Sequence, residues 1–256
     1  MMTPDLYRLR DKLVEAGEVR LSQPKAFISF TGNREADVLL NDLVRHPHAF
    51  VIACIMDRQI AAERAWLIPY ELSQRLGFFD FESLANLSAE ALSEAMLLPR
   101  PLHRYTERMP RYLFLAIQRL EENYGGNASG IWEGRMPSAA LVRRFLEFDG
   151  VGPKIATMAA NILVRDFHVP VSDRYSIDIS VDVQIKRVFS RMGFVPNDAE
   201  PDYITYRARE LSPEYPGIFD FTLWEIGREV CRPANPDREN CQFSEFCAYA
   251  INERPR

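Results

Sequence analysis

Residues 148–158 read FDGVGPKIATM, and they put a lysine where an ordinary helix would not carry one. Gly150, Val151 and Gly152 make a tight turn, and Pro153 suits the first position of a helix, where its missing N–H is not needed. Lys154 then falls in the first turn, where the helix dipole presents partial positive charge and disfavours a second cation. The turn has two readings. It can be a plain connection between two packed helices, or it can bare glycine backbone to a ligand. In the second case the amides that open the following helix form an anion site suited to a phosphate. Such a hairpin grips a phosphodiester with little need for positive side chains.

Two further groups could do chemistry. Asp182 precedes VQIKRVFSRMGF, an amphipathic stretch with Val183, Val188 and Phe189 apolar and Lys186, Arg187 and Arg191 basic. An aspartate there is commonly an N-cap, and a helix N-terminus also suits a carboxylate that must stay ionised. Cys231, Cys241 and Cys247 lie in CRPANPDRENCQFSEFC with the spacing C-x9-C-x5-C. A late cluster of this kind in a cytosolic protein points to a metal more than to disulfides. Zinc fits poorly, because no histidine follows His168 to complete four ligands. Cys54, alone in VIACIM, reads as a small buried hydrophobe. Arg143, Arg144, Lys154, Arg165, Lys186, Arg187 and Arg191 form either a local basic patch or solvated helix faces. Trp132 reads as core.

The elements that must position these residues are helices. VIACIMDRQIAAERAWLI, AEALSEAMLL, RYLFLAIQRLEEN, SAALVRRFLEF and PKIATMAANILVRDF all repeat apolar residues at three- and four-residue spacing. Ser88 and Ser138 stand where N-caps belong, and LPRPLHR, YGGN and GVGP break the pattern. Helical patterning lapses only over 168–181, HVPVSDRYSIDISV, which reads as an irregular loop or a short β insertion. The expected fold is all-α: two helical domains with a cleft between them and a helix-hairpin-helix motif. The expected division is a central domain, 48–166, carrying the hairpin, and a second domain built from 1–47 plus 167–256, carrying Asp182 and the cysteine loop.

Bulk properties limit the partners. The chain has 256 residues, 47% hydrophobic and 26% charged, with a net charge of −5, so it does not coat nucleic acid non-specifically. No apolar run approaches the ~20 residues that span a bilayer, and MMTPDLYRLRDKL lacks a secretory core. The expectation is a cytoplasmic protein, nucleoid-associated if prokaryotic, without a membrane partner.

The run L-x-x-x-G-V-G-P-K-x-A (Leu146 to Ala156), followed by V-D-x-x-x-x-R-V (Val181 to Val188), resembles the helix-hairpin-helix DNA glycosylases with the Gly/Pro-Asp loop. Within them it is most similar to the endonuclease III branch. MDRQIAAERAW (56–66) resembles that branch's early helix with its Gln, here Gln59. W-x-x-G-R-x-x-C (Trp224 to Cys231) resembles the lead-in to its iron–sulfur loop. The likeness covers roughly residues 48–250. It puts Lys154 at the nucleophilic lysine of the bifunctional members and Asp182 at the catalytic aspartate. Gly150, Val151 and Gly152 become the DNA-binding hairpin, Arg187 a DNA contact, and Gln59 a residue near the gap left by a flipped nucleotide.

That resemblance answers the question of the misplaced lysine. An amine nucleophile must be neutral, and a free lysine at neutral pH is almost wholly charged; the end of a helix that repels cations favours the neutral form. The implied enzyme excises a damaged or mismatched base from double-stranded DNA and nicks abasic sites by β-elimination, working as a monomer. Oxidised pyrimidines are the branch's default substrate. A monofunctional glycosylase, a non-catalytic DNA-binding protein and a helical protein without nucleic acid are the alternatives.

Two departures from the family stand out. About ten extra residues precede Asp182, and they contain Asp173 and Asp178 as rival acids. The branch's iron–sulfur loop resembles C-x6-C-x2-C-x5-C, and its second ligand falls here on Arg238. Either a [4Fe–4S] cluster is held by three thiolates and an outside ligand, or packing holds the loop without a cluster.

Overall fold

A computed structural model describes residues 2–252. Among them are thirteen α-helices and no sheet. In chain order these are α1 (Pro4–Ser22), α2 (Arg34–Asn41), α3 (Pro47–Met56), α4 (Ala62–Leu76), α5 (Phe81–Ala85), α6 (Ala89–Leu97), α7 (Arg108–Tyr124), α8 (Ser138–Leu146), α9 (Pro153–Arg165), α10 (Val183–Arg191), α11 (Pro201–Leu211), α12 (Asp220–Glu229) and α13 (Ala248–Asn252). Two 3₁₀ turns, Ala128–Ile131 and Pro216–Phe219, complete the set. No helix among the described residues is long and apolar enough to cross a membrane. The all-α class is as the periodicity requires.

The chain forms two compact units: Ala26–Met136 with Ala140–Ala159, and Met1–Lys25 with Pro137–Ala139 and Ala160–Arg256. The sequence placed the divisions after 47 and after 166. Segment 26–47 belongs with the helices that follow it because α2 buries Ala36 and Leu40 against α3 and α4. Asp37, also buried, accepts from the Phe30 and Thr31 amides and from the Ser29 and Thr31 hydroxyls, which folds the irregular entry segment of this unit onto α2.

The first unit is built around α3. All ten residues of PHAFVIACIM are buried, so this helix has no polar face, and α2, α4, α7 and the Ala128–Ile131 turn surround it. Phe50 meets Trp66 and Trp132 edge-on, with ring centres 5.6 and 5.9 Å apart, and Phe30 stacks on Trp66 at 4.4 Å. Trp132 is core. The apolar run over 51–68 is not one helix, however. It breaks at Asp57–Ala61, where α3 meets a charged residue, and resumes at Ala62.

The second unit packs α10 on α12 and α1 on the Pro216–Phe219 turn. Both contacts are close because a glycine lies in each. A Cβ on Gly227 would stand 2.8 Å from Gln184 Cβ, and one on Gly17 would stand 2.5 Å from the Ile218 carbonyl oxygen. Residues 168–181 contain no helix and only one isolated bridge residue, Val171; the rest of the stretch is irregular.

His48 gives the first unit a pH dependence. Its Nε2 lies 2.8 Å from the Phe79 carbonyl oxygen, and burial pushes its pKa down to about 4. Above pH ~6.5 the ring is neutral in folded and unfolded chains alike. Below that the unfolded chain takes up a proton that the folded one refuses, so stability falls as pH drops towards 4 and then levels off, by about 3 kcal/mol in all. Unfolding free energy measured against pH will show this slope in the wild type and lose it in His48→Gln.

Candidate functional site

In the first unit, α8 and α9 form the hairpin. Phe145 and Phe148 are buried at the end of α8, the Val151 amide donates to the Phe148 carbonyl at 3.0 Å, and the Gly152 carbonyl accepts the first bond of α9 from Ala156 at 3.0 Å. Gly150 is required twice over: its φ is +82°, and a Cβ there would press 2.6 Å from the Tyr112 ring. Gly152 has an ordinary backbone and nothing within 4 Å of the place a Cβ would take. One glycine is structural, and the other leaves bare backbone facing open space.

Pro153 and Lys154 open α9, and the lysine side chain is 42% exposed. Its Nζ lies 4.0 Å from Oδ2 of Asp57, whose side chain is only 9% exposed. Asp57 is the C-cap of α3 and starts the break that carries Gln59. Gln59 is not on a helix face: it is exposed, with φ +53°, in a conformation few non-glycine residues adopt. Two residues from far along the chain hold it there. Arg104 donates to its carbonyl at 3.3 Å, and the Tyr105 hydroxyl bonds its Oε1. Arg58, between them, lies over the Tyr112 ring at 5.5 Å, the same ring that abuts Gly150. Lys154, Asp57, Gln59 and the glycine turn therefore belong to one neighbourhood of this unit.

Asp182 lies in the second unit as the N-cap of α10. Its Oδ1 accepts from the Gln184 and Ile185 amides at 2.9 and 2.8 Å, which orients the carboxylate and satisfies two helix-end donors. The residues before it are pinned by buried polar bonds. Asn161, on the last turns of α9, donates to the Asp178 carbonyl at 2.8 Å and accepts from the Tyr215 hydroxyl at 2.9 Å. Ser180 gives both its amide and its hydroxyl to Asp220, at 2.6 and 2.5 Å. Burial pushes the Asp220 carboxyl up, and Arg165, 4.0 Å away, opposes that.

The rival acids have other partners. Asp178 takes a bidentate bond from Arg209, 2.7 Å on each arm. Asp173 accepts from the Ser138 hydroxyl, which holds its carboxyl below the usual range, and from the Ser172 hydroxyl at 3.1 Å. Ser138 is the first residue of α8, and its oxygen also accepts from the Ser176 amide at 3.0 Å.

Most of the basic residues are engaged within the fold. Arg144 donates to the Gly130 and Ile131 carbonyls, Arg165 is buried against Asp166, and Arg143 pairs with Glu147. Arg187 donates to the Cys231 carbonyl at 2.9 Å, to the Gly227 carbonyl at 2.6 Å, and to the Gln184 side chain. That makes it a clamp between α10, α12 and the cysteine loop.

The loop is held by a second arginine as well. Arg191 donates to the Arg232 and Pro233 carbonyls at 2.7 and 2.9 Å, and its guanidinium lies 3.4 Å from Cys231 Sγ. Arg191 and Arg238 both lie against the Tyr249 ring, at 4.8 and 5.1 Å. All three cysteines are free, and burial pushes the Cys241 and Cys247 thiols up. No group of three or more His, Cys, Asp or Glu among the described residues could hold a metal ion. Three thiols with a guanidinium in the fourth place do not fit a [4Fe–4S] cluster.

The sequence reading missed Asp57, Tyr105 and Tyr112. For Asp57 a signal existed, since it is the charge that ends an all-apolar helix two residues before Gln59. The tyrosines carry no local mark; their roles come from contacts with residues distant in the chain.

Residues 52–214 match the profile of the HhH-GPD superfamily base excision DNA repair proteins. Endonuclease III of Thermotoga maritima is 28% identical over 131 residues, 51% of this chain and 52% of that one. Endonuclease III-like protein 1 of Gallus gallus is 25% identical over 142 residues, 55% of this chain and 44% of that one. The chain thus spans about half the length of the curated relatives it matches. Among solved structures, a thermostable thymine-DNA glycosylase is similar with a TM-score of 0.63 and 16% identity, over 96% of this chain and 98% of that one. A trapped endonuclease III–DNA covalent intermediate is similar with a TM-score of 0.62 and 15% identity, over 98% and 99%. At such identities these likenesses establish the fold. On the profile match, the chain belongs to the HhH-GPD superfamily of base excision DNA repair proteins.

Proposed function

We propose that this protein is a DNA glycosylase with AP-lyase activity, acting as a monomer on duplex DNA that carries a damaged base or an abasic site. The observation that carries the reading is Lys154 in the first turn of α9, directly after a glycine turn with bare backbone. A structural helix gains nothing from an ammonium there, whereas a nucleophilic amine does. In the proposed reaction the target nucleotide leaves the base stack, at a cost of a few kcal/mol that is least for a weakly paired base. Positive charge develops on the sugar as the glycosidic bond lengthens, and the Asp182 carboxylate stabilises it. The Lys154 amine attacks the anomeric carbon and the base departs. The Schiff base that follows permits β-elimination on the 3′ side.

The hairpin supplies the grip on the phosphodiester through the amides around Gly152, and Gln59, held outward in its strained conformation, stands for the residue at the vacated base position. One observation favours a monofunctional second reading: the ion pair with Asp57 suits a lysine that stays charged and positions phosphate.

Borohydride reduction on a duplex with one abasic site is expected to trap wild-type protein covalently and to trap none of Lys154→Ala. A trapped variant would move the nucleophile elsewhere, and no adduct from either would leave the monofunctional reading. Asp182→Asn is expected to lose base release by at least about 10²-fold while keeping DNA affinity; equal release would remove Asp182 from the chemistry.

The two hairpin glycines are expected to separate fold from binding. Gly150→Ala should cost about 1–3 kcal/mol of stability, through its positive φ and the Tyr112 contact, as read by denaturant unfolding. Gly152→Ala should leave stability within about 0.5 kcal/mol and weaken binding to duplex DNA in a titration.

A further inference from the structure

We propose that Asp57 is a second catalytic carboxylate, the group that takes the proton from Lys154 before the amine attacks. The inference rests on the reading of Lys154 as nucleophile and adds to it a residue to which the resemblance assigned no role.

Both partners stand at the helix end that disfavours their charge. Lys154 is in the first turn of α9, where partial positive charge disfavours an ammonium. Asp57 is the C-cap of α3, where unpaired carbonyls present partial negative charge and disfavour a carboxylate. An ion pair formed merely to fasten two helices would have the charges the other way round. Each dipole instead modestly lowers the cost of moving the proton from Lys154 to Asp57. Burial acts in the same direction. Asp57 is 9% exposed, and two charges removed from water lose hydration that a neutral pair does not need.

The transfer balances without a co-reactant. One N–H bond of the ammonium breaks and one O–H bond forms on Oδ2. The nitrogen lone pair is freed for the anomeric carbon, and the proton stays on Asp57 until hydrolysis of the Schiff base restores the amine. At 4.0 Å the two atoms form an ion pair and not a hydrogen bond. The half-exposed lysine stem has to move by about 1 Å to reach the ~3 Å at which a proton passes. Covering the lysine with substrate strips its remaining water and pushes the pair towards the neutral form at the moment the amine is needed. Asp182 is then free to stay ionised.

Cys54 and His103 do not compete for that proton. Cys54, one turn back on α3, is fully buried, and burial pushes its thiol well up. His103, beside the Met56 and Arg58 backbone, is held down by burial and neutral near pH 7. Arg58 lies over the Tyr112 ring, 5.5 Å from its centre.

The test is single-turnover borohydride trapping on an abasic-site duplex from pH 6 to pH 10. It compares wild type, Asp57→Asn and Lys154→Ala, with DNA affinity and thermal unfolding measured on each. Asp57→Asn is expected to trap about 10²-fold more slowly at pH 7 at unchanged DNA affinity, and to recover towards the wild-type rate by pH 10, where bulk base removes the proton instead. A rate equal to or above wild type at pH 7 would overturn the proposal and show that Asp57 restrains the lysine. A loss of the same size at every pH would also overturn it, assigning Asp57 to anchoring alone. No adduct from the wild type would overturn both this proposal and the lyase reading, whereas an adduct from wild type with an indifferent Asp57→Asn would overturn this proposal only. Should Asp57→Asn fail to fold, Asp57→Ser carries the same expectations.

Discussion

The second unit depends on a small set of buried polar bonds. Residues 168–181 make no helix and only one isolated bridge, at Val171, so most of their backbone groups must find partners outside the segment. Asn161, Arg209, Gly217 and Asp220 provide them: an amide to the Asp178 carbonyl, a guanidinium fork to its carboxylate, a backbone N–H to the Ile177 carbonyl, and a carboxylate to Ser180. Gly217 is part of this knot because a Cβ there would stand 2.2 Å from Asn161 Oδ1. The segment ends at Asp182 as the cap of α10. Without these bonds an irregular loop would deliver that carboxylate to no fixed place.

The first unit meets the opposite requirement. It has to hold polar side chains at the edge of a largely apolar core, and it does so with helix ends. Where α3 stops, the chain turns outward through Asp57 and Gln59; where α9 starts, it presents Lys154. Tyr112 ties the two together, touching Gly150 from one side and Arg58 from the other. Backbone strain at Gln59 persists because Arg104 and Tyr105 fix both its carbonyl and its side chain.

What the sequence disclosed and what it hid follow from the range of the interactions. The start of α9 was legible because GVGP is a local signal: glycines for the turn and a proline at the first helical position. Asp182 as a cap was legible for the same reason. The break between α3 and α4 was marked only by the charge of Asp57, because apolar residues continue at helical spacing on both sides of Asp57–Ala61. Arg187 and Arg191 read as a basic face, yet both are turned to carbonyls some forty residues away. Asp178 read as a candidate acid until Arg209 appeared beside it. A side chain's type is written in the chain; whether its charge is spent inside the molecule is not.

The arginine clamp on the cysteine loop carries a consequence of its own. Metal–thiolate bonds change strength with the oxidation state of the iron and fail when iron is withdrawn, so a loop held by them senses both. Guanidinium-to-carbonyl hydrogen bonds have no redox state and ask nothing of the cell's metal supply. Arg187 and Arg191 thus give this loop an attachment that has no redox state of its own.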